Sequence, residues 1–247
     1  FSFTSDLKVY ETCPRQYQVF RYLEYTPSRS AEFFFGALVH QTIEDIHRWA
    51  MDGKAETLDQ YKIQDLFHLN YQNLLKRGPR PIGPKQREEA FLQVMNYFKQ
   101  NRSEFPRIIE TEVDVSVEKD NYILIGKVDL LLGGDGKLEI LDFKSQPRPA
   151  EYDDRIFSYY RQLCTYAHIL ETRDGKLPER LMVYWTAEAK KEDALMIFPY
   201  ERNIVDEAGA HFDKVVSQIQ NREFSIRKPP VPPHIVSPNT LPNISPF

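Results

Sequence analysis

Cysteine is scarce: the 247 residues include two, Cys13 and Cys164. Two thiols so far apart do not make a secreted disulfide framework, and they are too few for a zinc or iron–sulfur site built from thiolates alone. A reducing, cytoplasmic setting is the expectation. Long apolar runs are also missing. None approaches the ~20 residues needed to cross a bilayer, so no membrane association is expected. No secretory leader is visible, and the chain opens on "FSFTSDL" without Met, as a fragment cut from a longer protein would. A large charge of one sign is absent too: 32 Lys and Arg stand against 36 Asp and Glu, a formal −4. This argues against a whole-surface binder of nucleic acid but leaves room for a local basic groove. What remains is ordinary for a globular protein. Hydrophobic residues make up 41% and charged residues 28%, and the length allows one large domain or two small ones.

The chain reads as helices first and strands later. Residues 4–23 carry Thr4 and Ser5 as candidate caps, Asp6 in a first turn, and Pro14 as a break, which predicts two short helical pieces. Residues 33–53 predict a longer helix. Val39, Ile43, Ile46 and Ala50 form its apolar stripe, His40, Glu44 and His47 a neighbouring polar face, and Gly53 its stop. Residues 57–77 and 84–103 predict two more helices. In 108–120 the pattern turns to strict alternation: Ile109, Thr111, Val113, Val115 and Val117 on one face, and Glu110, Glu112, Asp114, Ser116 and Glu118 on the other. Residues 122–145 predict a hairpin around "GGDG". A helix over 153–172, two strands and a closing helix follow. The tail, 229–247, is crowded with proline and reads as extended. The expected fold is α/β, with a central mixed sheet whose first three strands are antiparallel and a helical insertion at 54–105.

Chemistry concentrates in the hairpin. Asp129 stands on its first strand, in "GKVDLLL", and Asp142 and Lys144 on its second, in "ILDFKS". Asp142 and Lys144 are two apart and share a face with Ile140, while Leu141 and Phe143 take the other. Two carboxylates on adjacent strands offer hard ligands for Mg²⁺ or Mn²⁺. A nearby lysine can orient a water or neutralise charge on phosphorus. Taken alone, an Asp-x-Lys triplet is more simply a surface salt bridge.

Five segments in order change that balance. "SDLKVYETCPRQYQ", "FGALVHQTIED", "GKVDLLL", "ILDFKS" and "RQLCTYAHIL" together resemble the RecB-like branch of the PD-(D/E)xK nucleases, over most of the chain. The wording is similar to nuclease domains fused behind UvrD/Rep-type helicases and to RecB-like exonucleases of CRISPR systems. The resemblance implies a restriction-endonuclease-like fold over 1–228 and a metal-dependent nuclease, an exonuclease by expectation, acting on DNA single strands or duplex ends in repair or recombination beside a helicase. It implies that His40, Asp129, Asp142 and the main-chain carbonyl of Phe143 bind Mg²⁺ or Mn²⁺. Lys144, with Asp129 and Asp142, would carry the catalysis. Gln162 and Tyr166 would support Lys144 or contact the DNA backbone. Glu44 and Glu112 are candidates for the metal's outer shell only, and His47 is expected to be structural. The alternative is a nuclease-like module that has lost activity and binds or scaffolds DNA.

Many members of that branch carry an iron–sulfur cluster with one ligand in the N-terminal "CP" segment, here Cys13, and three near the C-terminus. This tail offers Ser237, Thr240 and Ser245 instead, and hydroxyls do not replace thiolates on iron. No cluster is expected, and Cys13 reads as a small buried hydrophobe. Phosphate contacts are expected from basic residues in 76–87 and in 146–155, the latter a segment that follows Lys144 and includes Arg148.

Overall fold

The computed structural model describes residues 1–26, 28–134 and 137–226. The tip of the "GGDG" turn and the Pro-rich tail, with Ser237, Thr240 and Ser245, lie outside the described residues. The N-terminal segment begins as a wide turn, Phe3–Leu7. Its cap is Ser2 rather than Thr4 or Ser5, with Ser2 Oγ accepting from Ser5 N at 3.2 Å. Helices α1 (Lys8–Thr12) and α2 (Pro14–Arg21) follow and divide at Pro14, whose missing N–H suits the first position of α2. Helix α3 (Ala31–Trp49) is capped by Ser30, and the wide turn after it (Ala50–Lys54) contains Gly53 with φ 77°. Helices α4 (Gln60–Lys76) and α5 (Pro84–Asn101) come next.

Strands β1 (Ile108–Glu118), β2 (Ile123–Gly134) and β3 (Lys137–Lys144) lead to α6 (Asp154–Asp174) and β4 (Arg180–Trp185). A single turn, α7 (Lys191–Ala194), strand β5 (Leu195–Pro199) and α8 (Arg202–Gln220) close the described chain. The sheet runs β1-β2-β3-β4-β5 and is antiparallel except for β3 and β4, which the α6 crossover makes parallel. The mixed sheet with three leading antiparallel strands is as the sequence predicts.

Each face of the sheet has its own core. Ile140, Val183 and Leu131 pack with Tyr10, Tyr17, Leu163 and Phe212 from α1, α2, α6 and α8. Leu130, Leu141 and Phe143 pack with Phe34, Ile43, Phe67 and Val94 from α3, α4 and α5. Residues 54–105 thus supply two helices that share one apolar layer with α3 and the sheet.

The alternation expected across 109–117 does not run through. Thr111 turns to the α3 side, where its Oγ1 lies 3.4 Å from His47 Nδ1, while Val113 and Val115 belong to the α6-side core. Residues two apart share a face in a regular strand, so the backbone must turn over between them. It does so at Glu112, whose φ is +52°. Strand β2 switches beside it: Val128 packs on the α6 side, Leu130 and Leu132 on the α3 side. β2 and β3 stay in register only from Leu130↔Leu141 to the turn. Before Leu130 the two strands part, and the site lies in that opening.

Candidate active site

Helix α3 brings His40 to the opening. Gly36, one turn earlier, lies against the end of β3, where a Cβ would come within 3.2 Å of Ser145 Oγ. His40 Nδ1 lies 3.6 Å from Asp129 Oδ2. The same Asp129 oxygen accepts the N–H of Phe143 at 2.7 Å, which ties β2 to β3 just where their ladder ends. Lys144 O accepts from Thr186 N beyond β4, so the peptide groups of Phe143, one residue earlier, face the other way. The Phe143 carbonyl therefore opens on the Asp129 side.

Asp142 and Lys144 share a face, as their spacing predicts, and their side chains form a direct ion pair. From α6, Gln162 donates to Asp142 Oδ1 at 3.0 Å and to Tyr166 OH at 2.7 Å, and its Oε1 accepts from Lys144 Nζ at 3.4 Å. Gln162 and Tyr166 are both buried. Gly126 of the "GKVDLLL" segment makes room for Tyr166: a Cβ there would meet the Tyr166 ring at 2.9 Å. Tyr159, also on α6, sets its ring 5.0 Å from Lys144 Nζ.

The acids are crowded. His40, Glu112 and Asp129 each present a ligand atom, all within 4.8 Å of one another. Burial, then Asp142, pushes the Asp129 carboxyl well above the usual carboxylate range. Burial, then Asp129, pushes Glu112 up to about 6. Burial lowers His40, and the Lys144 charge adds to it, so its imidazole stays neutral and keeps a lone pair to donate. For Lys144, burial opposes the charge, but Asp142 and Asp129 outweigh it and hold the ammonium above its ordinary value.

This donor set fits a divalent cation. An octahedral ion with ~2.1 Å bonds holds ligand atoms ~3–4 Å apart, a spacing that small side-chain rotations reach from here. Imidazole nitrogen with carboxylate oxygen suits Mg²⁺ or Mn²⁺ chemistry, and raised carboxyl values mark a place where positive charge is favourable. The cleft above it is about 1280 Å³, far more than an ion needs.

Some expectations are redrawn. Glu44 lines the cleft and pairs with Arg48. Glu112, read from its spacing as an outer-shell candidate, stands within the acidic group itself, and no period-2 pattern could reveal that. His47 is not on a polar face. It is fully buried, with Nε2 2.8 Å from Tyr97 OH, and burial pushes it down to about 3. Cys13 is half-buried and caps α2, its sulfur accepting from Gln16 N at 3.4 Å, so it is not a buried hydrophobe. The basic segments divide. Arg77 lines the cleft. Arg148 is not brought there: it donates to the Asp193 carbonyl at 3.0 Å and stacks over Trp185.

A cleft at a mixed sheet that gathers an acid pair, an adjacent lysine and a histidine from the covering helix is the equipment of a phosphodiester hydrolase. Residues 2–230 match the PD-(D/E)XK nuclease superfamily, and the chain belongs to that superfamily. Among solved structures it is similar to a presumptive exonuclease of Eubacterium rectale, with TM-score 0.58, 13% identity, and coverage of 91% of this chain and 82% of the other. That likeness supports the restriction-endonuclease-like fold. Weaker likenesses are to SSO0001 (TM-score 0.33, 10% identity, coverage 84% and 85%) and to VC1899 of Vibrio cholerae (0.28, 16%, 78% and 60%). No curated protein matches the chain in sequence. Among the described residues, no helix is long and apolar enough to cross a membrane.

Proposed function

We propose that this chain is a Mg²⁺- or Mn²⁺-dependent deoxyribonuclease of the RecB-like branch, working on single strands or duplex ends as an exonuclease. The observation that carries the reading is the joint placement of His40, Asp129, Asp142 and Lys144 around the gap between β2 and β3. His40, Asp129, Asp142 and the Phe143 carbonyl would hold the cation. A cation held there supplies Lewis-acid polarisation of the phosphoryl oxygen and a more acidic water.

The chain's own residues do the rest. Lys144, kept charged by Asp142 and Asp129, sets a fixed positive charge where negative charge grows on phosphorus in the transition state. Gln162 holds Asp142 and Lys144 in one geometry, so the lysine needs no reorganisation as charge develops. Lys144 would also orient or activate the attacking water. Arg77 on the cleft wall offers a phosphate contact. The N-terminal segments resemble nuclease modules that follow helicases, and delivery of the strand by such a partner in DNA repair suits a chain whose net charge is negative.

The test is cleavage of labelled single- and double-stranded DNA, with RNA alongside, in Mg²⁺ and in Mn²⁺. Wild type should cut DNA, while Lys144→Ala and Asp129→Ala should not. Equal cutting by all three, or cutting by none, would sink the assignment. DNA binding without cutting by wild type would instead favour the scaffolding alternative.

A further inference from the structure

We infer that Glu112, on β1, is a direct ligand of the cation and that Lys127 is the counter-ion it exchanges for that cation. This rests on the metal-dependent reading above and goes beyond it, because the family pattern in this sequence points to β2, β3 and α3 for ligands and not to β1.

The backbone is the first observation. Glu112 has φ +52° in the middle of a strand, a region that a glutamate with its Cβ occupies only at a cost. A regular strand would send Glu112 to the face opposite Thr111 and Val113 and leave both of those on one core. Instead the strand turns over, Thr111 goes to α3, Val113 to α6, and the Glu112 carboxylate joins His40 and Asp129. The positive φ is what aims the carboxylate into the gap.

The second observation is the division of labour between the acids. Asp142, a ligand in the reading above, is already shared with Gln162 at 3.0 Å and with the Lys144 ammonium, so it brings less free charge to a cation. The ligand atoms that converge with Asp129 are those of His40 and Glu112. The third is Lys127, whose Nζ lies 3.4 Å from Glu112 and 3.8 Å from Asp114 while half of its side chain remains in solvent. A half-exposed lysine on a flexible stem neutralises Glu112 and can swing away when a dication takes its place.

A ligand role and a structural role predict opposite things. Glycine accepts positive φ without strain, so Glu112→Gly removes the carboxylate and its cost together. The experiment titrates the full chain with Mn²⁺, reading free Mn²⁺ by electron paramagnetic resonance, and melts the metal-free proteins in EDTA. Relative to wild type, Glu112→Gly should melt higher without metal and bind Mn²⁺ about tenfold more weakly or worse. Glu112→Gln, which keeps size and backbone strain, should show the same loss of affinity and covers the case in which the glycine variant fails to fold. Lys127→Ala should bind Mn²⁺ severalfold more tightly. Unchanged Mn²⁺ affinity in Glu112→Gln, with affinity lost in Asp129→Asn, would overturn the role of Glu112 and leave the metal site standing. Unchanged affinity in Asp129→Asn as well would bring down the metal-dependent reading together with this one.

Discussion

Two histidines stand seven residues apart on α3 and live in different worlds. His40 faces a wide cleft, with a quarter of its side chain exposed and a carboxylate 3.6 Å away. His47 is sealed between Tyr97, Thr111 and the Phe143 ring. Both are neutral, and burial is the leading cause for each. Their uses differ because their surroundings differ. Around His40 the sheet has opened and gathered acids. Around His47 the sheet is closed, and the imidazole is a packed core group whose nitrogens are spent on hydroxyls. A helix can therefore carry a functional and a structural histidine two turns apart, with only the facing layer to tell them apart.

Exchanging their losses breaks the comparison most sharply. His40→Ala should cut DNA about 100-fold more slowly or worse and bind Mn²⁺ correspondingly less, with a melting temperature close to wild type. His47→Ala should do the reverse. It leaves a cavity in the α3-side core and an orphaned Tyr97 hydroxyl, and should lose about 3–5 kcal/mol in a urea titration while the folded fraction still binds Mn²⁺. Comparable losses of Mn²⁺ affinity in both variants would erase the distinction.

Acidity should separate the carboxyls beside His40 from His47 by sign. The Glu112 carboxyl rises to about 6 on folding, from an ordinary 4.5. A carboxyl raised in this way favours the folded protein while protonated. Its contribution is whole below 4.5 and lost as pH climbs through about 6, roughly 2 kcal/mol for this shift. Asp129 acts in the same direction. His47 is the opposite case. Its folded value falls to about 3, so its contribution is whole above 6.5 and drains as pH drops toward 3, when the unfolded chain takes up a proton that the core refuses. Melting curves against pH in EDTA should show Glu112→Gln resisting the rise of pH and His47→Ala resisting its fall. Excess Mn²⁺ should erase the first effect and leave the second.

The smallest difference expected lies between the two basic segments. Arg77→Ala should weaken DNA binding severalfold and shallow its salt dependence by about one phosphate contact. Arg148→Ala should change binding by less than twofold, because that guanidinium is already held by the Asp193 carbonyl and the Trp185 ring. Binding measured at several salt concentrations in Ca²⁺ decides between them.

Much of this architecture can be read from local pattern, because helices and strands leave periods in the chain. The 3.6 spacing of Val39, Ile43 and Ile46 describes the buried stripe of α3, and all three are fully buried. The two-residue step from Asp142 to Lys144 places both on one face, where they form their ion pair. Gly126 and Gly36 belong to recognisable segments, though their reason, close approach to Tyr166 and Ser145, appears only in three dimensions. The same logic failed in β1. Period 2 assumes uniform φ, and a single left-handed residue inverts every face assignment beyond it.

The sequence by itself determined the element order, the mixed sheet, the superfamily and the residues that carry its motifs, since each is written in neighbours along the chain. Only the tertiary structure decided that Glu112 joins His40 and Asp129, that His47 belongs to the core, and that Arg77 rather than Arg148 lines the cleft. These depend on where β2 leaves β3 and on which helix covers the gap. Such meetings between residues far apart in the chain follow from how two apolar layers pack on one sheet, and local spacing does not encode them.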